Sequence, residues 1–415
     1  MNEMTIEEAK ESHWRKLNAN VKKMYVVHFC VNLHFVGAVL IPFFTNWGGI
    51  TFLQVMYLQS WFLACLFIME IPTGTIADKF GRKQSIALGT ALCAIAAMLY
   101  GSNPPAFPKF IVGELLWATS SALFSGADNA LVYDTLKELS REEESQEVFK
   151  KTATSARLSL LVSSPLGTVI AIVAGLHYTM FLMVVPMTIG FFMTLTIKEP
   201  RKYIKSTKRN YIEILKAGLK QFHKSKELKR LVIDAASIAV IAFLLIWLHQ
   251  VKLEDMGVDI SMYGLVRVVF IGGQIGAIFL LGKLESALKS RKAVLSLTTC
   301  LLGVSLILMG TTDSVIIVII AITVGGGFGL SRWVLFDPCF NKYIESGERA
   351  TVISTISMIR GIMQAIINVV IGVAVEASLD VTLVVLGVVT LAFTVLPRIH
   401  GNSLVPERRG ENLQP

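Results

Sequence analysis

Charged residues are scarce in this sequence: 17% of its 415 residues are Asp, Glu, Lys or Arg, against 53% apolar. A soluble fold of this length could not hide so much apolar surface, and lipid is the solvent that suits it. Cysteine is sparse as well. The five, Cys30, Cys65, Cys93, Cys300 and Cys339, lie in or at the ends of apolar runs without CxxC or metal-ligand spacing. They read as unpaired packing residues, and neither a metal site nor a cofactor is expected. There is no G-x-x-x-x-G-K-[ST] loop, which argues against ATP-driven pumping by this chain. There is also no HExxH or comparable intramembrane constellation, so an enzyme is not expected. The polar stretch from Met1 to Lys23 lacks a short apolar core followed by small residues, and no signal peptide is expected.

What the sequence has is long apolar runs. Twelve of them, at 24–44, 51–72, 84–101, 109–134, 152–174, 178–197, 231–250, 262–282, 293–310, 314–336, 350–373 and 379–397, predict transmembrane helices. Each is close to the roughly 20 residues that cross the hydrocarbon core, with backbone polar groups satisfied inside the segment. Lys and Arg then fix an orientation. With a cytoplasmic N-terminus, 33 of the 39 basic residues fall in cytoplasmic segments, and only Lys109 and Lys252 fall outside the cell. That asymmetry predicts both termini inside. The location expected is the cytoplasmic membrane of a prokaryote. It also explains the net charge of +9 without nucleic acid.

The longest polar stretch, 198–230, separates two six-helix halves, 24–197 and 231–397, flanked by cytoplasmic segments 1–23 and 398–415. Within it Ile212, Leu215, Leu219 and Phe222 recur at helical spacing among Lys216, Lys220 and Lys224, predicting an amphipathic helix on the inner membrane surface. The halves are distant repeats at an offset of about 207, the helical-repeat pattern of rocking secondary transporters. The fold class expected is therefore an all-α membrane protein of twelve transmembrane helices in two pseudo-symmetric six-helix bundles.

One motif carries more detail. From the inner end of the second span the sequence runs Glu70-Ile71-Pro72-Thr73-Gly74-Thr75-Ile76-Ala77-Asp78-Lys79-Phe80-Gly81-Arg82-Lys83. Gly74 suits close helix packing and Gly81 a tight turn. Asp78 suits the amino end of a neighbouring helix. Arg82 suits a carboxylate, for which Asp134 is the candidate. The stretch resembles the major facilitator signature G-x-x-x-D-x-x-G-R-K between helices 2 and 3. That resemblance implies that Gly74, Asp78, Gly81, Arg82, Lys83 and Asp134 act as gate parts, with Asp78 reaching the eleventh span. The fuller pattern E-x-P-x(5)-D-x(3)-R-K and the segment Ser125 to Asp134 resemble a branch of tetracycline-type and related drug exporters. The antiporter pattern G-x-x-x-G-P-x-x-G is only echoed, by Ser164-Pro165-Leu166-Gly167.

Ionisable groups in hydrocarbon are costly, so each one inside a span is a functional candidate. None lies inside spans 3, 6, 9 and 12, the lipid-facing positions of the facilitator fold. Glu114, Ser121 and Asp128, seven apart, would share one face of the fourth span. Arg360, Gln364 and Asn368, four apart, would do so on the eleventh. His28 and Asn32 form a polar pair on the first. Glu70, Asp128 and Glu114 are the proton-coupling candidates. His28, Asn32, Ser121, Arg157, Gln274, Arg360, Gln364 and Asn368 are the substrate-cavity candidates. For Arg360 the alternative is a structural ion pair with a carboxylate of another helix.

The expected function is secondary transport by a monomer, moving a small molecule with protons across the bilayer, and the resemblance favours efflux of an amphipathic compound or drug. The alternatives are uptake of a small organic anion or nutrient, with Arg360 binding the anion, and a non-transporting sensor of the same fold.

Overall fold

The computed structural model describes residues 3–201, 220, 226–344 and 349–395, and among these there are helices and turns but no strand. The amphipathic helix expected in 198–230 and the tail 398–415 fall largely or wholly outside the described residues. Ten of the described helices are long and apolar enough to cross a membrane, and a shorter apolar helix lies at Leu379–Thr394. With the interrupted first span these make the twelve-span fold.

We number the helices α1 (Glu3–Val31), α2 (Phe52–Phe80), α3 (Arg82–Tyr100), α4 (Phe107–Phe124), α5 (Ala127–Glu138), α6 (Ser145–Val173), α7 (Leu176–Phe181) and α8 (Val184–Leu195). After the polar stretch follow α9 (Lys226–Asp255), α10 (Tyr263–Leu288), α11 (Arg291–Thr311), α12 (Val315–Ser331), α13 (Trp333–Tyr343), α14 (Arg349–Ala377) and α15 (Leu379–Val395).

Several spans are not the single rods the apolar runs suggest. The first was expected as one helix over 24–44. Instead α1 starts at Glu3, so the polar N-terminal residues are its opening turns, and it stops at Val31. A 3-10 turn (Phe35–Ala38), one α turn (Leu40–Pro42) and a π turn (Phe43–Trp47) follow. Side chains end the helix: the Asn32 amide donates to the His28 carbonyl at 2.8 Å, and the His34 ring reaches the Val31 carbonyl at 3.0 Å. The His28 carbonyl accepts the Asn32 N–H as well, at 3.2 Å, while the His34 ring occupies the Val31 carbonyl that a further turn would have used.

The fourth span, expected unbroken over 109–134, divides into α4 and α5 at residues 125–126. Gly126 has φ of 76°, the left-handed region that a side chain rarely adopts. The tenth divides at Arg332 and the sixth between α7 and α8. The second span was expected to end at residue 72, yet α2 continues to Phe80 through Pro72. Hydroxyls help there, with Thr73 Oγ1 donating to the Met69 carbonyl at 2.7 Å.

The chain clusters into two compact units: Met1–Thr51, Trp61–Lys208 and Ile260–Leu265 form the first, and Phe52–Ser60, Arg209–Asp259 and Val266–Pro415 the second. In unit 1, α1 packs on α6 and α8, and α3 on α4. One core of this unit gathers Met24, Val27, Ile86, Leu131, Leu136 and Val148. In unit 2, α11 packs on α12 and α15, and a core joins Leu228, Leu231, Leu295, Phe336, Phe340 and Ile356. Large apolar side chains outside these cores stand in the open: Val173 is 81% exposed, Phe279 73% and Ile316 71%. A bilayer is the solvent that such a surface requires.

Candidate functional site

The motif between the second and third spans is built almost entirely on helix. Glu70, Gly74 and Asp78 lie along continuous α2, with Asp78 exposed on its last turn and Glu70 half-buried, about 12 Å away along the axis. The turn is the single residue Gly81, at φ 106°. Immediately after it, α3 begins with its first N–H groups unpaired by the helix. The carboxylate of Glu199 takes two of them, Oε1 from the Arg82 N–H at 2.8 Å and Oε2 from the Lys83 N–H at 2.9 Å. A charged acceptor at this end of a helix is favoured both by the free donors and by the dipole.

The Arg82 guanidinium pairs with Asp134 and also donates to the Ala130 carbonyl. Asp134 is fully buried, so removing its cation would cost about 3–5 kcal/mol. Around this pair, α1 is clasped to the rest of unit 1. Asn20 donates to the Lys198 carbonyl at 2.7 Å and accepts from the Lys198 N–H at 3.0 Å. Glu138, in the last turn of α5, meets His13 Nε2 at 2.9 Å and the Arg201 N–H at 2.8 Å. Lys23 donates to the Thr196 carbonyl at 2.6 Å, and burial, then the cations Lys83 and Lys16, lower its pKa. Gly74 departs from expectation. It is exposed, and a Cβ there would meet nothing within 4 Å, so it does not serve close packing here.

Deeper in unit 1, the two interrupted helices meet through an imidazole–carboxylate pair. His28 stands in the last turn of α1 and Asp128 in the first turn of α5. Their side chains approach to 3.5 Å (Nε2 to Oδ2) and are largely shielded. The Asp128 carboxylate lies at an amino end, where the helix dipole favours negative charge, and the His28 imidazole lies at a carboxyl end, where the dipole favours its protonated form. The ring of Phe124 lies edge-on to His28, and Ser155 of α6 donates to the Tyr25 carbonyl one turn earlier. Asn32, expected beside His28 as a second polar ligand, spends its amide on the His28 backbone.

The expected stripe of Glu114, Ser121 and Asp128 does not exist as one face, because the break at Gly126 intervenes. Glu114 is buried beside Tyr100 of α3, a neighbour on one of the spans read as lipid-facing. Tyr100 itself stacks on Phe110 at 5.7 Å. The Ser121 hydroxyl returns to the Trp117 carbonyl at 3.0 Å. Arg157 is exposed on α6.

In unit 2, Arg360 projects from α14 and lies over the Trp333 ring, 5.5 Å from its centroid. The alternative of a structural ion pair is not met: among the described residues no carboxylate lies within 4 Å of Arg360. Along the same face Gln364 Nε2 donates to Asn368 Oδ1 at 2.7 Å, and both residues are buried. Gln274 of α10 is half-buried, and its carbonyl accepts from Ser331 Oγ at 3.3 Å. Arg332, at the α12–α13 junction, reaches Asp234 of α9 at 3.5 Å.

Sequence reasoning missed Glu199, Tyr100 and the Asp234–Arg332 pair. For Glu199 a signal was present, since Lys-Glu-Pro closes the sixth span, but its target lies more than a hundred residues earlier.

The sequence matches the Major Facilitator Superfamily model over residues 25–368, and the chain belongs to that family. The family is one of membrane transporters, not enzymes. No curated protein sequence matches significantly. Among solved structures, the nucleoside transporter NupG superposes with a TM-score of 0.73 at 13% identity, covering 91% of this chain and 97% of that one. A POT family transporter in complex with 5-aminolevulinic acid gives 0.72 at 16% identity, covering 93% and 96%. A D-xylose-proton symporter gives 0.66 at 12%, covering 93% and 98%. At these identities the likeness establishes the fold alone.

Proposed function

We propose that this chain is a proton-coupled secondary transporter that works by alternating access and exports a small amphipathic compound. The observation that carries the coupling is the His28–Asp128 pair, which joins the broken ends of the first and fourth spans. With neutral imidazole and ionised carboxylate the pair bears one negative charge. One added proton makes it neutral overall, and a neutral pair is far cheaper to seal away from water than a net charge. Proton uptake can thereby license closure of the cavity. Glu70, on the helix that carries the motif, is the second coupling group.

The Arg82–Asp134 pair and the Glu199 cap hold the motif rigid as a gate part, with Asp78 and Lys83 beside it. Export as the direction is supported by the resemblance of Glu70 to Lys83 and of Ser125 to Asp134 to drug exporters. The termini belong on the cytoplasmic side of a cell membrane by the distribution of basic residues, and the working unit is a monomer of two six-helix bundles. A second reading, uptake of a small organic anion, is favoured by Arg360, which has no carboxylate within 4 Å among the described residues.

The direction is tested in cells lacking their major exporters, loaded with a panel of fluorescent amphiphiles. Cells carrying the protein should retain less of at least one compound, and collapse of the proton gradient should abolish the difference. Retention indifferent to the gradient, or accumulation that requires the protein, would overturn export.

A further inference from the structure

We infer that the cargo is an organic anion with a planar apolar body, its charged group received by Arg360 and its ring by Trp333; this rests on the reading of the chain as a transporter. Arg360 lies well inside the bilayer-crossing stretch Thr351–Ala377, on an exposed part of the helix. A guanidinium there is costly in lipid, so it faces water or a ligand. Its interaction with the Trp333 face, at 5.5 Å, uses the ring's quadrupole and leaves the N–H donors unspent.

The surroundings offer donors and few acceptors. Arg332, adjoining Trp333 in sequence, is buried with its guanidinium over Phe336. Its Nη2 shares Asp234 Oδ2 at 3.5 Å and the Leu295 carbonyl at 3.4 Å, while Nε and Nη1 have no hydrogen-bond partner. Among the described residues, the one carboxylate within 4 Å of either guanidinium is Asp234, beside Arg332. Farther along α14, Asn368 accepts from Gln364 and is left with an unpartnered, buried Nδ2. A ligand for Arg360 and Trp333 brings acceptor oxygens and a negative charge, as a carboxylate or sulfonate does, and a flat body to lie on the indole.

The arrangement divides the work between the units. In unit 1 the candidate groups are dominated by acids and an imidazole that one proton can neutralise. In unit 2 the cation without a carboxylate partner among the described residues, Arg360, is an arginine, which does not titrate, and only an anion can neutralise it.

Binding of naphthoate, its neutral amide, a naphthylmethyl ammonium ion and acetate to the purified full-length protein in nanodiscs, followed by calorimetric titration, tests this. Naphthoate should bind saturably and the amide and ammonium ion at least about tenfold more weakly. Arg360→Gln should weaken naphthoate by about ten- to a hundredfold and Arg360→Lys by less. Trp333→Leu should weaken naphthoate several-fold and leave acetate unchanged. Equal binding of all three naphthyl compounds, undiminished binding by Arg360→Gln, or no saturable binding of naphthoate would each overturn the proposal. Proton-linked flux of some other compound would then still uphold transport; anion binding without any flux would uphold this site and refute the transport reading. Equal melting temperatures for the Gln and Lys variants exclude misfolding as the cause.

Discussion

Glu199 caps the first turn of α3 with both carboxylate oxygens, and replacing it by Gln isolates that contribution. Each oxygen takes one backbone N–H, at 2.8 and 2.9 Å. Hydrogen bonds to a charged acceptor contribute about 1.5–3 kcal/mol each, and a half-buried site belongs near the lower end. A Gln amide can accept one of the two N–H groups through its oxygen, but its NH2 then faces the other donor. One bond, the charge on the other and the favourable dipole term are lost, about 2 kcal/mol in all. Hydrogen exchange read by mass spectrometry on peptides covering the start of α3 should show the Arg82 and Lys83 amides opening about thirtyfold faster. Glu199→Ala should exceed this, and peptides of α11 should be unaffected in both. Unchanged exchange at Arg82 and Lys83 in Glu199→Ala would refute the cap as the element that orders the motif turn.

Three further substitutions test the site residue by residue. Arg82→Ala strands the buried Asp134 carboxylate and should cost about 3–5 kcal/mol of stability in thermal denaturation; adding Asp134→Ala should recover part of that loss, and strict additivity would deny the pairing. Tyr100→Phe leaves Glu114 without its phenol and should lower stability by about 1–3 kcal/mol while proton-driven transport persists; lost coupling at full stability would restore Glu114 to the coupling groups. Glu70→Gln should abolish proton-driven transport in proteoliposomes with the protein folded, and an unchanged pH dependence would remove Glu70 from the mechanism.

The repeated apolar runs made the spans legible, because a bilayer imposes one length and one composition on every crossing helix. Helix interruptions were not legible in the same way. Ser125-Gly126 lies within an apolar pattern that reads as continuous, and only the left-handed φ of Gly126 turns it into a break. The first span failed for a related reason: polar Glu3 to Lys23 is helical because Asn20, Lys23 and His13 find partners on α5 and after α8, which no local pattern reveals. Arg82 and Asp134 could be matched in advance, since opposite charges near one membrane face leave few choices. Seven-residue spacing misled for Glu114, whose orientation is set by an aromatic cluster around Tyr100 rather than by the periodicity of its own helix.

The most direct test of coupling through the His28–Asp128 pair is proton movement in proteoliposomes that enclose a pH-sensitive dye. An imposed gradient of a transported compound should drive proton flux through the parent protein. Asp128→Asn and His28→Gln should each lose that flux while still exchanging labelled for unlabelled compound across the membrane. Proton flux retained by both variants, or transport by the parent that leaves the lumenal pH untouched, would contradict it.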